Sequence, residues 1–308
     1  MRKALSAVLL CGFIIVTGCL SPKSTPTATS TPNLSAFSRT DPTPQHHNVP
    51  YVPGNSSQQV LDVYLPTEGE GPFPTILALH GGGFRTRSKE LYSSLAGYFT
   101  DMGYALVPIN YRLAPQYTYP AQVEDAFCAL AWVFKNAEAF GFDSERIFIM
   151  GDSAGGYLAA MLGTVETPDI YKGECPHMLS DPDLIRGVVV FYGFYDLTSL
   201  DGHGIVEIRD GLEPFMGATH SEVSPEKLAE MSPKSWLDGS EPPFLIIHGT
   251  EDQSVQSWLA EDFIASLEEF GIKGDLVLLE DTHAFILQPV SSPTMTKALD
   301  SVISFLNE

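Results

Sequence analysis

From about residue 58 onward, short apolar runs alternate with longer amphipathic stretches. Val60 to Leu65 alternates apolar and polar positions and Pro74 to His80 is almost wholly apolar, so both read as strands, the second one buried. Helical spacing from Leu91 to Met102 leads into another apolar run, Tyr104 to Tyr111. Strand, helix and strand in that order predict a parallel pair joined by a crossover. The unit then repeats. Val123, Phe127, Leu130 and Phe134 fall at offsets of four, three and four, which puts one core-facing stripe on a helix from Gln122 to about Phe140. Strands follow at Arg146 to Gly151, Gly187 to Tyr192, Pro243 to His248 and Asp275 to Glu280, with helices at Ala154 to Leu162, Ser254 to Phe270 and about Thr294 to Phe305. Residues 197–240, mixed in Pro, Gly and charge, break this rhythm and read as a small inserted cap. No internal repeat is visible, and the sum predicts one α/β domain over residues 46–308, built on a mostly parallel, doubly wound sheet.

The N-terminal end does not fit that domain. Arg2 and Lys3 precede an apolar run from Ala4 to Val16, too short for a settled membrane span but of the length of a signal-peptide core. It ends in Val16-Thr17-Gly18-Cys19, which resembles the bacterial lipobox, where cleavage precedes a lipid-bearing cysteine. Cys11 is a poorer candidate because Leu10 stands where a small residue is wanted. Residues 1–18 are therefore expected to be a signal peptide and Cys19 a lipidation site. Residues 19–45, rich in Ser, Thr and Pro, cannot bury enough apolar surface to order themselves and are expected to act as a tether. The expected location is the cell envelope, held to a membrane by the N-terminal lipid, with plain secretion as the alternative.

Charge and cysteine usage narrow the chemistry. The chain has 17 basic and 38 acidic residues, a net charge of −21. Without residues 1–18 the balance becomes −23 and no basic run remains, which argues against nucleic acid as a partner. Cys128 and Cys175 are the two cysteines of the folded part; a bridge between them is allowed but not forced, and neither has metal-ligand spacing. His46-His47 has no partner at a useful offset, and Asn55-Ser56-Ser57 is too short a glycosylation pattern to carry weight. No metal and no organic cofactor are expected.

Two glycine-rich turns carry the strongest local signals. Gly151-Asp152-Ser153-Ala154-Gly155-Gly156 lies where a buried strand gives way to a helix, the setting of a serine held on a tight turn with small neighbours. His80-Gly81-Gly82-Gly83 ends an upstream strand and offers unobstructed backbone N–H groups. Gly81, Gly82 and Ala154 are the expected donors to an oxyanion formed beside Ser153. A phosphate-binding loop is disfavoured, since neither the P-loop lysine nor G-x-G-x-x-G spacing is present.

A base and an acid are needed later in the chain, and both occur just beyond strands. Asp252 follows Leu245-Ile246-Ile247-His248-Gly249, and His283 follows Leu276-Val277-Leu278-Leu279-Glu280. The expected triad is Ser153, Asp252 and His283, with Glu251 and Asp281 as rival acids and His80 and His248 as rival bases. Phe84 beside the glycine loop, Tyr192 at a strand end, and Met216 with Phe215 in the cap are the candidate substrate-binding residues, although core packing competes for Tyr192.

The chain is similar, over about residues 58–307, to the hormone-sensitive-lipase-type and feruloyl-esterase-like branch of the α/β hydrolases. The resemblance rests on His80-Gly81-Gly82-Gly83-Phe84, Asn110-Tyr111-Arg112-Leu113-Ala114-Pro115, Pro120-Ala121-Gln122-Val123-Glu124-Asp125, Gly151-Asp152-Ser153-Ala154-Gly155-Gly156, Pro243-Phe244-Leu245-Ile246-Ile247-His248-Gly249 and the segment around His283. It implies an α/β-hydrolase fold and a serine carboxylic ester hydrolase that works through an acyl-enzyme, on short-chain or sugar-linked acyl esters, with a small-molecule or carbohydrate-linked ester as its partner. The alternatives are an amidase or peptidase with the same triad, or an inactive, lipid-tethered binding protein. Thr250 and Thr282 depart from the pattern, standing where such proteins often have an acidic residue and a glycine.

Overall fold

The computed structural model describes residues 42–308 apart from 55, 167, 178, 180–183 and 201–205, and the backbone only of 206–210. The signal peptide, Cys19 and nearly all of the 19–45 tether lie outside the described residues.

Eight strands form one sheet: β1 (His46–Pro50), β2 (Val60–Val63), β3 (Phe73–Leu79), β4 (Ala105–Ile109), β5 (Phe142–Asp152), β6 (Ile185–Phe191), β7 (Phe244–Gly249) and β8 (Gly274–Leu279), in the order β1-β2-β4-β3-β5-β6-β7-β8. β1 and β2 pair antiparallel with each other, and β2 antiparallel with β4; all remaining pairs are parallel. This is the α/β-hydrolase fold. Chain order reverses between β3 and β5, so the crevice where an open α/β sheet binds ligands lies beyond their carboxyl ends.

Period-two alternation along the buried strands feeds two cores. Leu77, Leu79, Val188, Val190 and Ile246 point to the face covered by α2 (Ala121–Lys135), α4 (Ala154–Thr164) and α7 (Trp258–Glu269). Their neighbours Ile76, Ala78, Val189, Phe191 and Ile247 meet α1 (Ser93–Asp101) and α8 (Pro293–Leu306) on the opposite face. Because both faces are covered, the strands read in sequence as continuous apolar runs.

Three local expectations change. The single helix expected from Gln122 to Phe140 breaks at Asn136, whose amide donates to the Trp132 carbonyl at 2.8 Å, and a short α3 (Ala137–Phe140) follows. β1 escaped the sequence pattern because His46-His47-Asn48 carries no apolar alternation; it is held by pairing with β2. That cover buries all of β2, including the nominally polar Asp62, which is 2% exposed and bound to Lys89 Nζ at 2.9 Å. Between β6 and β7 the chain forms α5 (Val206–Met216), α6 (Pro225–Glu230) and short 3-10 turns. Cys128 on α2 and Cys175 are joined by a disulfide.

Candidate active site

The parallel register brings Leu79 level with Gly151, Asp152 with Phe191, and Gly249 with Leu279, so the loops after β3, β5, β6, β7 and β8 emerge along one edge. Ser153 sits directly after β5 with φ 53°, ψ −117°, and α4 begins at the next residue. Such a backbone is costly and persists only where the surroundings over-determine it. Those surroundings are tight. A Cβ at Gly155 would run into the Leu79 carbonyl, and one at Gly151 into the Gly155 carbonyl, so only glycine lets the turn press against β3. The Ser153 N–H donates to the Phe191 carbonyl at 2.9 Å, pinning the turn to the end of β6.

Three side chains from three loops form a linear chain. Ser153 Oγ lies 3.0 Å from His283 Nε2, and His283 Nδ1 lies 2.6 Å from Asp252 Oδ2. A carboxylate only accepts, so the imidazole carries its proton on Nδ1 and presents the Nε2 lone pair to the serine hydroxyl. Asp252 is fixed by two further donors: the N–H groups of Ser254 and Val255 reach Oδ1 at 2.9 and 2.8 Å. Burial opposes its charge, but the His248 and His283 imidazoles and the Val255 N–H outweigh that cost and hold its carboxyl well below the usual carboxylate range. Asp252 therefore both caps the turn after β7 and orients the histidine.

None of the rival groups hydrogen-bonds Ser153 or His283. Asp281 accepts from its neighbour Thr282 N–H, from Gln288 and from Thr294, which ties down the loop that presents His283 even though Thr282 replaces a glycine. Glu251 is exposed, its N–H bound to the Asp281 carbonyl at 3.0 Å. His80 is buried, stacks on Tyr111 and bonds the Gly81 carbonyl at 2.7 Å; burial pushes its imidazole down to about 4, which keeps it neutral. His248 is wholly buried and bonds the Val255 carbonyl at 2.7 Å.

Above Ser153 opens a cleft of about 330 Å³, lined by the glycine loop, Ser153, Ala154, His283 and a wall of Phe84, Tyr192, Phe194 and Leu212. A larger groove of about 860 Å³ runs between β8 and α8 and touches none of the three chain residues. Six non-glycine residues among those described have positive φ, and five of them, Phe84, Arg87, Ser153, Tyr192 and Ala284, line the smaller cleft. Concentrated backbone strain of this kind marks functional sites.

The sequence expectations need two corrections here. Gly81 does not offer its N–H to the cleft, because that group donates to Asp152 Oδ1 at 2.9 Å; Gly82 and Ala154 do line it, and Gly83 joins them. Met216 packs against the core outside the cleft, and Leu212, one turn earlier on α5, takes its place. Phe84 and Tyr192 contribute walls as expected, yet both are fully buried. Phe84 stacks on Phe215 at 4.0 Å between ring centroids, and Tyr192 packs edge-on against His283 at 4.6 Å. Asp152 and Tyr92 were not singled out in the sequence. The Tyr92 hydroxyl shares its proton between Asp152 Oδ1 and the Leu79 carbonyl, each at 3.1 Å, and burial raises the Asp152 carboxyl to about 6 against the pull of the Gly81 N–H and the Tyr92 hydroxyl. Asp152 stands inside the glycine-serine motif, so position was its only signal; Tyr92 had none.

The BD-FAE family model matches residues 61–267. The chain belongs to the BD-FAE family. This BD-FAE protein is 30% identical over 232 residues to the esterase LipQ of Mycobacterium tuberculosis, covering 74% of this chain and 53% of that one. It is 27% identical over 268 residues to the isoprenylcysteine alpha-carbonyl methylesterase ICME of Arabidopsis thaliana, covering 83% and 61%. The BD-FAE chain thus spans little more than half the length of these curated relatives. Among solved structures, a truncated carbohydrate esterase from gut microbiota superposes with a TM-score of 0.72 at 22% identity, covering 85% of this chain and 95% of that one. A propionate-bound thermophilic esterase from Thermogutta terrifontis gives 0.66 at 24%, covering 80% and 88%.

Proposed function

We propose that this protein hydrolyses carboxylic esters through an acyl-enzyme on Ser153. The observation that carries the reading is the hydrogen-bonded chain Ser153–His283–Asp252, at 3.0 and 2.6 Å, opening into a cleft beside a glycine loop. Ser153 Oγ attacks the ester carbonyl carbon as its proton passes to His283 Nε2, and Asp252 steadies the resulting imidazolium. The carbonyl oxygen becomes an anion, and Gly82, Gly83 and Ala154, which line the cleft, would supply the N–H groups that receive it; one such donor is worth roughly 10²–10³ in rate. His283 returns the proton to the departing alcohol oxygen, and water then repeats the sequence on the acyl-serine. The names of the relatives, esterases and a methylesterase, support ester rather than amide substrates.

Small acyl esters, free or sugar-linked, are the substrate class we favour, since about 330 Å³ is at the small end of ligand sites. A panel of p-nitrophenyl esters, acetylated sugars and anilides tests it. Turnover of the short esters supports the reading. Exclusive turnover of anilides replaces it with an amidase, and a folded protein inert toward all three and toward a fluorophosphonate is a binding protein.

Export with a lipid on Cys19 remains our proposal for location. The Cys128–Cys175 disulfide supports it, because such bridges belong to oxidising compartments. A single acyl chain binds membranes only marginally, so the several chains of a bacterial lipoprotein are what would anchor the enzyme. Intact mass of the mature N-terminus is the test: an unmodified peptide retaining residues 1–18 overturns it.

A further inference from the structure

The cleft has one charged side. Arg85 and Arg87 both line it, on the loop that continues from the glycines, Asp152 is the one carboxylate among the lining residues, and Phe84, Tyr192, Phe194, Leu212 and Val255 carry no charge. The Arg85 guanidinium lies over the glycine loop itself: a Cβ on Gly83 would be 3.9 Å from its Nε and 4.0 Å from its Nη2. The charge of Arg87 reaches Asp152 and Tyr192, the neighbours of Ser153 and His283. Arg87 is also held at φ 72°, within the strained group around the cleft.

The chain has 38 acidic and 17 basic residues, and several of its cations are paired, although Lys135 and Lys297 form no ion pair with any described residue. Lys89 is bound by Asp62 and Glu90, Arg112 by Asp125 and Glu124, and Lys234 by Asp262. Arg85 and Arg87 are exposed and form no ion pair with any described residue. The net charge of −21 repels anions at long range, so two guanidinium groups at the reacting centre, set against the single lining carboxylate of Asp152, run against the sign of the molecule. Guanidinium is the side chain best matched to a carboxylate, with planar donors that bind it bidentately.

On the footing of ester hydrolysis by Ser153, we infer that Arg85 and Arg87 bind a carboxylate carried by the substrate, making this an esterase for anionic esters. The carboxylate sits either on the acyl part, as in the half-ester of a dicarboxylic acid, or on the alcohol part, as in an acylated hydroxy acid or uronic acid.

The experiment compares each carboxylate with its neutral methyl ester: mono-4-nitrophenyl glutarate for the acyl side and 4-acetoxybenzoate for the alcohol side. In the wild type at low salt, one carboxylate has the higher kcat/KM of its pair. Arg85→Gln/Arg87→Gln lowers that carboxylate-to-neutral ratio by about 5- to 20-fold, the worth of two partly exposed charge pairs, chiefly through KM. Arg85→Lys/Arg87→Lys, which keeps the charge, restores part of the ratio, and 0.5 M salt diminishes it by screening. The pair that responds identifies the side. A ratio unmoved by the double Gln variant, or a wild type that hydrolyses the neutral esters and rejects both carboxylates, overturns the inference and leaves the esterase reading standing. A wild type inert toward all four esters overturns that reading and the inference with it.

Discussion

Asp152, the residue before the serine, accepts the N–H of Gly81 at 2.9 Å across 71 positions of sequence. The turn that presents Ser153 and the glycine loop that lines the cleft are thus one hydrogen-bonded unit, and Tyr92 closes it by donating to the same carboxylate oxygen at 3.1 Å. The expected donor Gly81 is a strut, and the glycines after it face the cleft.

Removing the strut is expected to loosen the donors while leaving the chain of Ser153, His283 and Asp252 in place. Asp152→Ala should lower kcat by about 10- to 100-fold, less than the loss of an oxyanion donor outright, with KM little changed. Asp152→Asn keeps an acceptor oxygen and should recover most of the rate. Equal kcat losses in the two variants would show that the carboxylate acts in some way other than as acceptor.

The same residue gives a pH signature. Its carboxyl is raised to about 6 in the folded state, so the native protein binds this proton more tightly than the unfolded chain does, and Asp152 contributes stability at low pH that is lost as pH rises through about 6. His80, depressed to about 4, acts with the opposite sign over the same window: its stability is present at neutral pH and lost as pH falls toward 4. Asp252, held low, stays charged throughout. The difference between wild type and Asp152→Asn isolates the first contribution. Urea denaturation at pH 4.5 and 7 should show the variant gaining on the wild type as pH rises, by about 2 kcal/mol over that window for a shift of this size. A constant difference across that range would mean Asp152 does not titrate there.

The disulfide closes a loop of 47 residues between α2 and the segment before β6. In the loop-entropy account, replacing Cys128 and Cys175 by serine should cost about 4 kcal/mol of stability. Hydrolysis at a temperature well below the transition should be nearly unaffected, because neither cysteine lines the cleft. A melting temperature unmoved by the replacement would contradict the contribution assigned to the bridge.

How much of this was legible in the sequence follows from where each signal lives. Ser153, Asp252 and His283 were found because each stands just beyond an apolar strand, and parallel strands deliver their ends to one edge. The break at Asn136 was not, because a helical stripe at Phe134 looks the same whether or not the next side chain competes for a backbone carbonyl. Gly81 and Gly82 are indistinguishable as letters; only the approach of Asp152 tells the strut from the donor. Met216 gave way to Leu212 because helix phase inside the cap, interrupted by Pro214, cannot be read from so short a stretch. Arg85 and Arg87 attract no notice in sequence, since what marks them is their place beside the cleft, a property of space.

The most direct test of the account joins labelling to turnover at Ser153. A fluorophosphonate should add to Ser153 of the folded protein in one-to-one stoichiometry, and Ser153→Ala should abolish both the label and ester hydrolysis, a fall of about 10⁶ in kcat, with its melting temperature preserved. A well-folded Ser153→Ala protein that still turns over esters at a rate near that of the wild type would contradict it.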